Sequence, residues 1–159
     1  MAEQLTYRNP VWGWEIRYPS DWSLDDSDPE YVVWSFPAPP ALPGAQLGIN
    51  SGDVTPGQTH AELVDFLVST YEESTRMDGM EAVQVSQQEL ESAGPRGKTV
   101  FTYDLGGAQV GRVRMVLVST EDGRMFLINQ EAYRDAFPSF EPDFDSIVDS
   151  FAVTARTGS

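Results

Sequence analysis

The 159-residue sequence predicts an α+β fold, a central antiparallel sheet covered by helices. Three observations carry this. Strands of alternating polarity follow one another at hairpin spacing, a capped amphipathic helix interrupts them, and a second amphipathic helix follows the last strand. No internal repeat or linker composition divides the chain, so residues 1–159 are expected to form one domain, with an ordered core from about residue 5 to residue 153. Met1 to Gln4 and Ala155 to Ser159 have no apolar period and read as loose ends.

The first strand is "GWEIRYP". Trp12, Trp14, Ile16 and Tyr18 fall on one side of a period-two pattern, with Glu15 and Arg17 on the other. Pro19 cannot donate to a ladder and ends it, Ser20 and Asp21 turn the chain, and Trp22 folds back onto the face just made. Tyr31 to Phe36 and Ala45 to Ser51 are the next strands, joined by the stiff "PAPPALPG". Thr59 and Glu62 form a capping-box pair, and Leu63, Phe66, Leu67 and Tyr71 recur at helical spacing, so a helix is predicted from about Thr59 to Ser74.

Strands are then expected over Val83 to Glu89, Lys98 to Leu105, Gly111 to Ser119 and Met125 to Glu131. Asp-Gly within "EDGR" suits a tight hairpin, so the last two should pair antiparallel. Phe140, Phe144, Ile147, Val148 and Phe151 mark one face of a closing helix that begins near Ser139, with Pro142 in its first turn.

The strand "GWEIRYPSDW", the inserted helix, the paired late strands and the closing "FDSIVDSFAV" together resemble the PsbP-like domain family. That family includes the extrinsic protein of the photosynthetic oxygen-evolving complex, bacterial surface lipoproteins and, on the same fold, a nuclear-import factor that binds the GTPase Ran. The likeness spans about Leu5 to Val153, and its matching positions are Tyr18, Pro19, Trp22, Ile147, Ser150 and Phe151. It implies an α/β/α sandwich around the sheet and a non-enzymatic binding or assembly role. It supplies neither metal ligands nor a Ran-binding pattern. The leader and lipid-bearing cysteine of the family's lipoproteins do not occur in the sequence, and an extracytoplasmic setting is expected, with a cytoplasmic one as the alternative.

A formal net charge of −15 argues against nucleic acid and anionic membrane surfaces, because both require a basic patch. The absence of cysteine excludes disulfides, thiol nucleophiles and thiolate metal sites. No apolar run reaches membrane-spanning length, so no direct insertion is expected; the partner is expected to be a protein and the chain a monomer.

Individual candidates for chemistry each have a plainer reading. Asp21, Asp25, Asp26, Asp28 and Glu30 crowd one turn, yet an EF-hand register from Asp26 puts Tyr31 at the turn glycine and Pro37 at the bidentate acid, so a solvated turn is expected. His60 lacks any "HExxH" or "GxSxG" context and reads as an exposed first-turn residue. "GGAQVGRV" has Arg112 and Val113 where a phosphate loop needs lysine and a hydroxyl, and reads as a hairpin connection. "PAPPALPG" reads as a rigid loop rather than a polyproline ligand.

Trp14, Trp22, Phe66 and Phe151 are expected in the buried layer, and either Trp12 or Trp34, if exposed, would mark a binding patch. Arg112 and Arg114 share a face with Val116 and Val118; the valines are expected beneath a helix, with the arginines past its edge and neutralised by Glu89 or Asp104. No catalytic, cofactor-binding or metal-binding residue is assigned, and no cofactor is expected. The leading expectation is a non-catalytic binding or accessory domain. The alternatives are a small hydrolase using carboxylates, which would need two facing carboxyls of shifted pKa, and a cytosolic chaperone or adaptor on the same fold.

Overall fold

A computed structural model describes residues 3–37, 44–107 and 110–157. Its elements in chain order are β1 (Gln4–Asn9), β2 (Trp14–Pro19), β3 (Ser23–Asp25), β4 (Tyr31–Phe36), β5 (Ala45–Asp53), α1 (His60–Met77), β6 (Met80–Ala93), β7 (Arg96–Gly107), β8 (Gly111–Ser119), β9 (Arg124–Tyr133), α2 (Phe137–Asp149) and β10 (Ala152–Val153). The architecture is α+β, with a seven-stranded antiparallel sheet in the order β3-β4-β5-β9-β8-β7-β6.

The opening strand departs from expectation. Rather than joining the large sheet, β2 lies at the centre of a small antiparallel sheet, β1-β2-β10. Trp14, Ile16 and Tyr18 of β2 are buried against Val32, Trp34, Leu47 and Ile49 of the large sheet. A strand alternating one buried aromatic face with polar residues fits either sheet, and its hydrogen-bonding neighbours decide which.

Of the two ends expected to be loose, residues 1–2 and 158–159 lie outside the described residues, and the parts that are described are tied down. Gln4 pairs with Pro19 in β1, and Thr157 donates its backbone N–H to the Pro10 carbonyl at 2.8 Å. Arg124 holds this corner together. Its Nη1 donates to the carbonyl oxygens of Trp12, Gly13 and Thr154 at 3.0, 3.2 and 2.9 Å, while Asp122 takes its charge. Gly13 has a φ of 76°, and a β-carbon there would strike Arg124, so this turn requires glycine.

Alternation along the sheet splits the core in two. Phe101, Tyr103 and Leu105 of β7 and Val113, Met115 and Leu117 of β8 face α1, where they pack on Leu63 and Val64. Val116 faces the opposite side with Phe126 and Ile128, against Phe137, Phe144 and Ile147 of α2 and the aromatic face of β2. One helix therefore lies on each face, but α2 shares its side with the small sheet.

Coverage is diagonal. α1 packs over the β6 and β7 side of one face, whereas α2 packs over β5 and β9 on the other. Each half of the sheet is thus covered on one face and bare on the other.

Helix α1 begins as expected. Thr59 Oγ1 accepts from Glu62 N at 3.2 Å, and the Glu62 carboxylate accepts from Thr59 N at 3.1 Å. Its buried stripe is Leu63 and Val64 with the partly buried Leu67, Val68 and Tyr71; Phe66 lies on the flank of the helix and is 64% exposed, contrary to expectation. Helix α2 starts at Phe137, two residues before Ser139, so Pro138 occupies its first turn and Pro142, expected there, falls inside the helix instead. Trp22 is buried in the same core cluster as Trp14, Ile16 and Tyr18 of β2, and its ring meets those of Phe36 and Phe144 at 5.8 and 5.9 Å. The "EDGR" hairpin forms as expected, with Thr120 N donating to Arg124 O at 2.9 Å.

Candidate functional site

The bare half of the α1 face is a shelf of strands β4, β5 and β9 walled on one side by α1. Register places three cross-strand rows on it: Ser35, Gln46 and Glu131; Val33, Gly48 and Asn129; and Tyr31, Asn50 and Leu127. Tyr31 is 45% exposed, and its ring lies on Gly48, where a β-carbon would meet it at 2.7 Å. Gly48 thus makes a flat seat for that aromatic ring.

At one end of the shelf, a cavity of about 280 Å³ opens between α1 and the sheet, lined by Leu63, Phe66, Leu67, Thr70, Leu117 and Met125. At the other end lie Glu131 and two tyrosines in tilted ring contact, Tyr71 and Tyr103, with ring centroids 4.9 Å apart. The Tyr103 hydroxyl is buried without a hydrogen-bond partner among the described residues, and burial pushes its pKa up to about 12, with Glu72 adding to the shift. Burial also raises the Tyr71 phenol, and the charge of Glu131 reinforces it.

Glu131 keeps surface open to water, yet neighbouring protein strips enough solvation to hold its carboxyl above the ordinary range. No ion pair reaches it among the described residues. A desolvated acid without a counter-charge favours either a proton or an incoming cation.

The residues singled out from sequence are not gathered here. His60 is buried rather than exposed, at 2%. Its Nδ1 lies 2.6 Å from Ser119 Oγ and its Nε2 2.8 Å from Thr99 Oγ1, both nitrogens being occupied in binding the helix start to the sheet. Burial lowers its pKa, partly offset by Glu89. Trp12 and Trp34 are both buried, at 6% and 0%, so neither marks a patch; Arg156 sits over the Trp12 ring at 4.2 Å.

In the acidic turn, Asp25 and Asp28 accept from the backbone N–H groups of Ser27 and Glu30 at 3.1 and 2.9 Å. These are turn hydrogen bonds. No group of three or more metal-ligating side chains comes together among the described residues. The "GGAQVGRV" segment joins β7 to β8, which pair antiparallel from Leu105 and Gly111 onward; Ala108 and Gln109 lie outside the described residues, as do residues 38–43 of "PAPPALPG".

Arg112 pairs with Asp104 at 2.8 Å, as expected, and this hydrogen bond holds the Asp104 carboxyl below its usual range. Arg114 does not use Glu89. It lies under α2, its side chain only 16% exposed, bonded to Asp145 at 2.7 Å and to Gln130 Oε1 at 2.6 Å. The expectation that both arginines project past the helix edge fails for Arg114, because α2 brings its own acids over the strand.

The shelf was not legible in the sequence. Its polar strand positions looked like an ordinary solvated face, and only cross-strand register beside α1 joins Tyr31, Asn129 and Glu131 into one surface.

The layer order and topology define a PsbP-like/Mog1 fold. Cyanobacterial PsbP (CyanoP) from Synechocystis superposes with a TM-score of 0.71 over 96% of this chain and 94% of its own, at 14% identity. The Saccharomyces cerevisiae Ran-binding protein Mog1p superposes with a TM-score of 0.62, covering 98% and 97% of the two chains at 10% identity. LpqN, involved in cell envelope biogenesis of Mycobacterium tuberculosis, gives 0.59 over 96% and 91% at 15% identity. No protein-family model matches the sequence, and no curated protein matches it either.

The matching residues of the fold are structural here. Ser150 Oγ accepts from Arg17 N at 2.8 Å and donates to Arg17 O at 3.1 Å, tying the end of α2 to β2. Phe151 sits between Trp14 and Phe126, tilted against the first at 6.0 Å and edge-on to the second at 5.5 Å.

Proposed function

We propose that this chain is a non-catalytic accessory domain that holds a protein partner on the shelf beside α1. The observation that carries the reading is the pairing of the small apolar cavity under Phe66 with the unpaired acid Glu131 on one bare sheet face. The other bare half, over β6 and β7, is a weaker candidate because the cavity beside Leu90 and Val100 is smaller, at about 150 Å³, and Asp104 there is already held by Arg112 and Arg134.

The fold supports the same reading through its structural neighbours, one of them a Ran-binding protein. Net charge disfavours nucleic acid as the partner, and no described helix is long and apolar enough to cross a membrane. We read the chain as one monomeric domain without cofactor. LpqN's involvement in the cell envelope favours an extracytoplasmic setting over a cytoplasmic one. A hydrolase would need a second carboxyl raised alongside Glu131. Glu131 has its carboxyl raised by burial, while Asp25, Asp104 and Asp122 are held low by hydrogen bonds, which supports the binding reading over a carboxylate pair.

The test is site-specific photo-crosslinking in the source cells. A photoreactive residue at Asn50 should give a discrete protein adduct, while one at Gln88 on β6 should not. Adducts formed only from Gln88 would move the partner to the other edge of the sheet and end this reading.

A further inference from the structure

Resting on that reading, we propose that the shelf takes an extended, basic and apolar segment of a partner protein, with a lysine or arginine at Glu131 and a large apolar side chain in the cavity under Phe66. Geometry sets the spacing. Met125, at the cavity, and Glu131 lie on the same face of β9, six residues and about 20 Å apart along the strand. An extended segment alongside β9 presents residues i and i+6 to that face, so one segment reaches both ends.

Charge selects the sign of the partner. Among the described residues Glu131 has no salt bridge, while Arg8, Arg96, Arg112, Arg114, Arg124, Arg134 and Arg156 are each paired with another acid. Glu73 follows Phe66 and Thr70 at i+7 and i+3, so the helical wall of the shelf also carries an acid. Glu72 lies close enough to Tyr103 to shift it, and Asp53 at the cavity rim is the one acid there that already holds a cation, Arg156. An acidic segment would leave Glu131 facing like charge in a partly desolvated place, which opposes binding. A second copy of this chain fails on the same ground, since each copy carries −15.

Between the ends the floor is uncharged, polar at Asn50 and Asn129 and apolar at Val33 and Leu127. Asn50 and Asn129 offer amides to the backbone of an extended guest, and Tyr31 offers a flat ring at the far side.

Four blocked peptides test this in NMR titrations with the whole chain. The first carries phenylalanine and lysine separated by five glycine and serine residues. The others replace the lysine with glutamate, replace the phenylalanine with alanine, or place phenylalanine and lysine side by side. The first peptide should shift the Met125 methyl and the Asn129 side-chain amide together, and bind more tightly than the rest. Glu131→Gln should weaken it about tenfold, the loss of one partly desolvated charge pair. Equal shelf binding by the glutamate peptide would overturn the basic-partner inference while leaving the shelf as a docking face. Failure of every peptide to shift these residues at millimolar concentration would also overturn it, whereas the docking reading itself falls only if the Asn50 crosslink fails too.

Discussion

The imidazole of His60 occupies the space above Gly97 that a β-carbon would fill. Thr99 and Ser119 hold the ring from either side, so glycine at 97 is what lets the first turn of α1 sit down on β7 and β8. Gly97→Ala should therefore destabilise the chain by about 1–3 kcal/mol, the usual cost of overpacking, although alanine is the better strand residue. Urea melts of the double variant with His60→Ala check the cause. The alanine at 97 should cost much less once the ring is gone.

Burial lowers the His60 pKa from 6.5, so between its folded value and 6.5 the unfolded chain binds more protons than the folded one. Its contribution to stability is complete above about pH 6.5 and is lost as pH falls through the folded pKa. Between about pH 7 and about pH 5.5, the wild type should lose stability relative to His60→Gln, measured as the difference in urea midpoints. A constant difference would show that the ring carries no proton-linked strain.

Trp22 is 4% exposed between Phe36 and Phe144, one ring each from β4 and α2. Truncation to alanine removes that bridge and should cost roughly 3–5 kcal/mol. A change below about one kcal/mol in urea melts would refute the packing.

The two arginines of β8 should prove unequal. Arg114, under α2 and bonded to both Gln130 and Asp145, should lose more on change to glutamine than Arg112, whose side chain is 31% exposed. The double variant should fall by about 1–3 kcal/mol in thermal or urea melts and still bind whatever the shelf binds, because both side chains lie on the opposite face.

Glu131 has the reverse linkage to His60. Its carboxyl is raised, so its favourable share of stability is present below the unfolded pKa of about 4.5 and is lost as pH rises through the folded value. Glu131→Gln should raise the urea midpoint at neutral pH, and the gain should shrink toward pH 4. The gain is expected to be small because the side chain remains partly in water. A loss of stability at neutral pH would mean that the carboxylate has a favourable partner.

Local chemistry determined the elements of this protein. The Thr59 and Glu62 cap, the Asp-Gly hairpin and the period-two runs act within a few residues of themselves, so β4, β8 and the start of α1 fall where the sequence predicts. Tertiary structure decided which surfaces those elements meet. The aromatic face of β2 could have closed the large sheet or capped it, and pairing with β1 and β10 made it a cap. Phe66 has the period of a core residue but falls on the flank of α1, while His60, a polar residue at a helix start, is buried because Gly97, Thr99 and Ser119 arrive beneath it from two distant strands. The shelf has the same origin. Tyr31, Asn129 and Glu131 are ordinary strand residues one by one, and they become one surface only because α1 covers half of a sheet face and leaves the other half bare. Sequence patterns report which side of an element avoids water; which neighbour removes that water is a long-range outcome of packing.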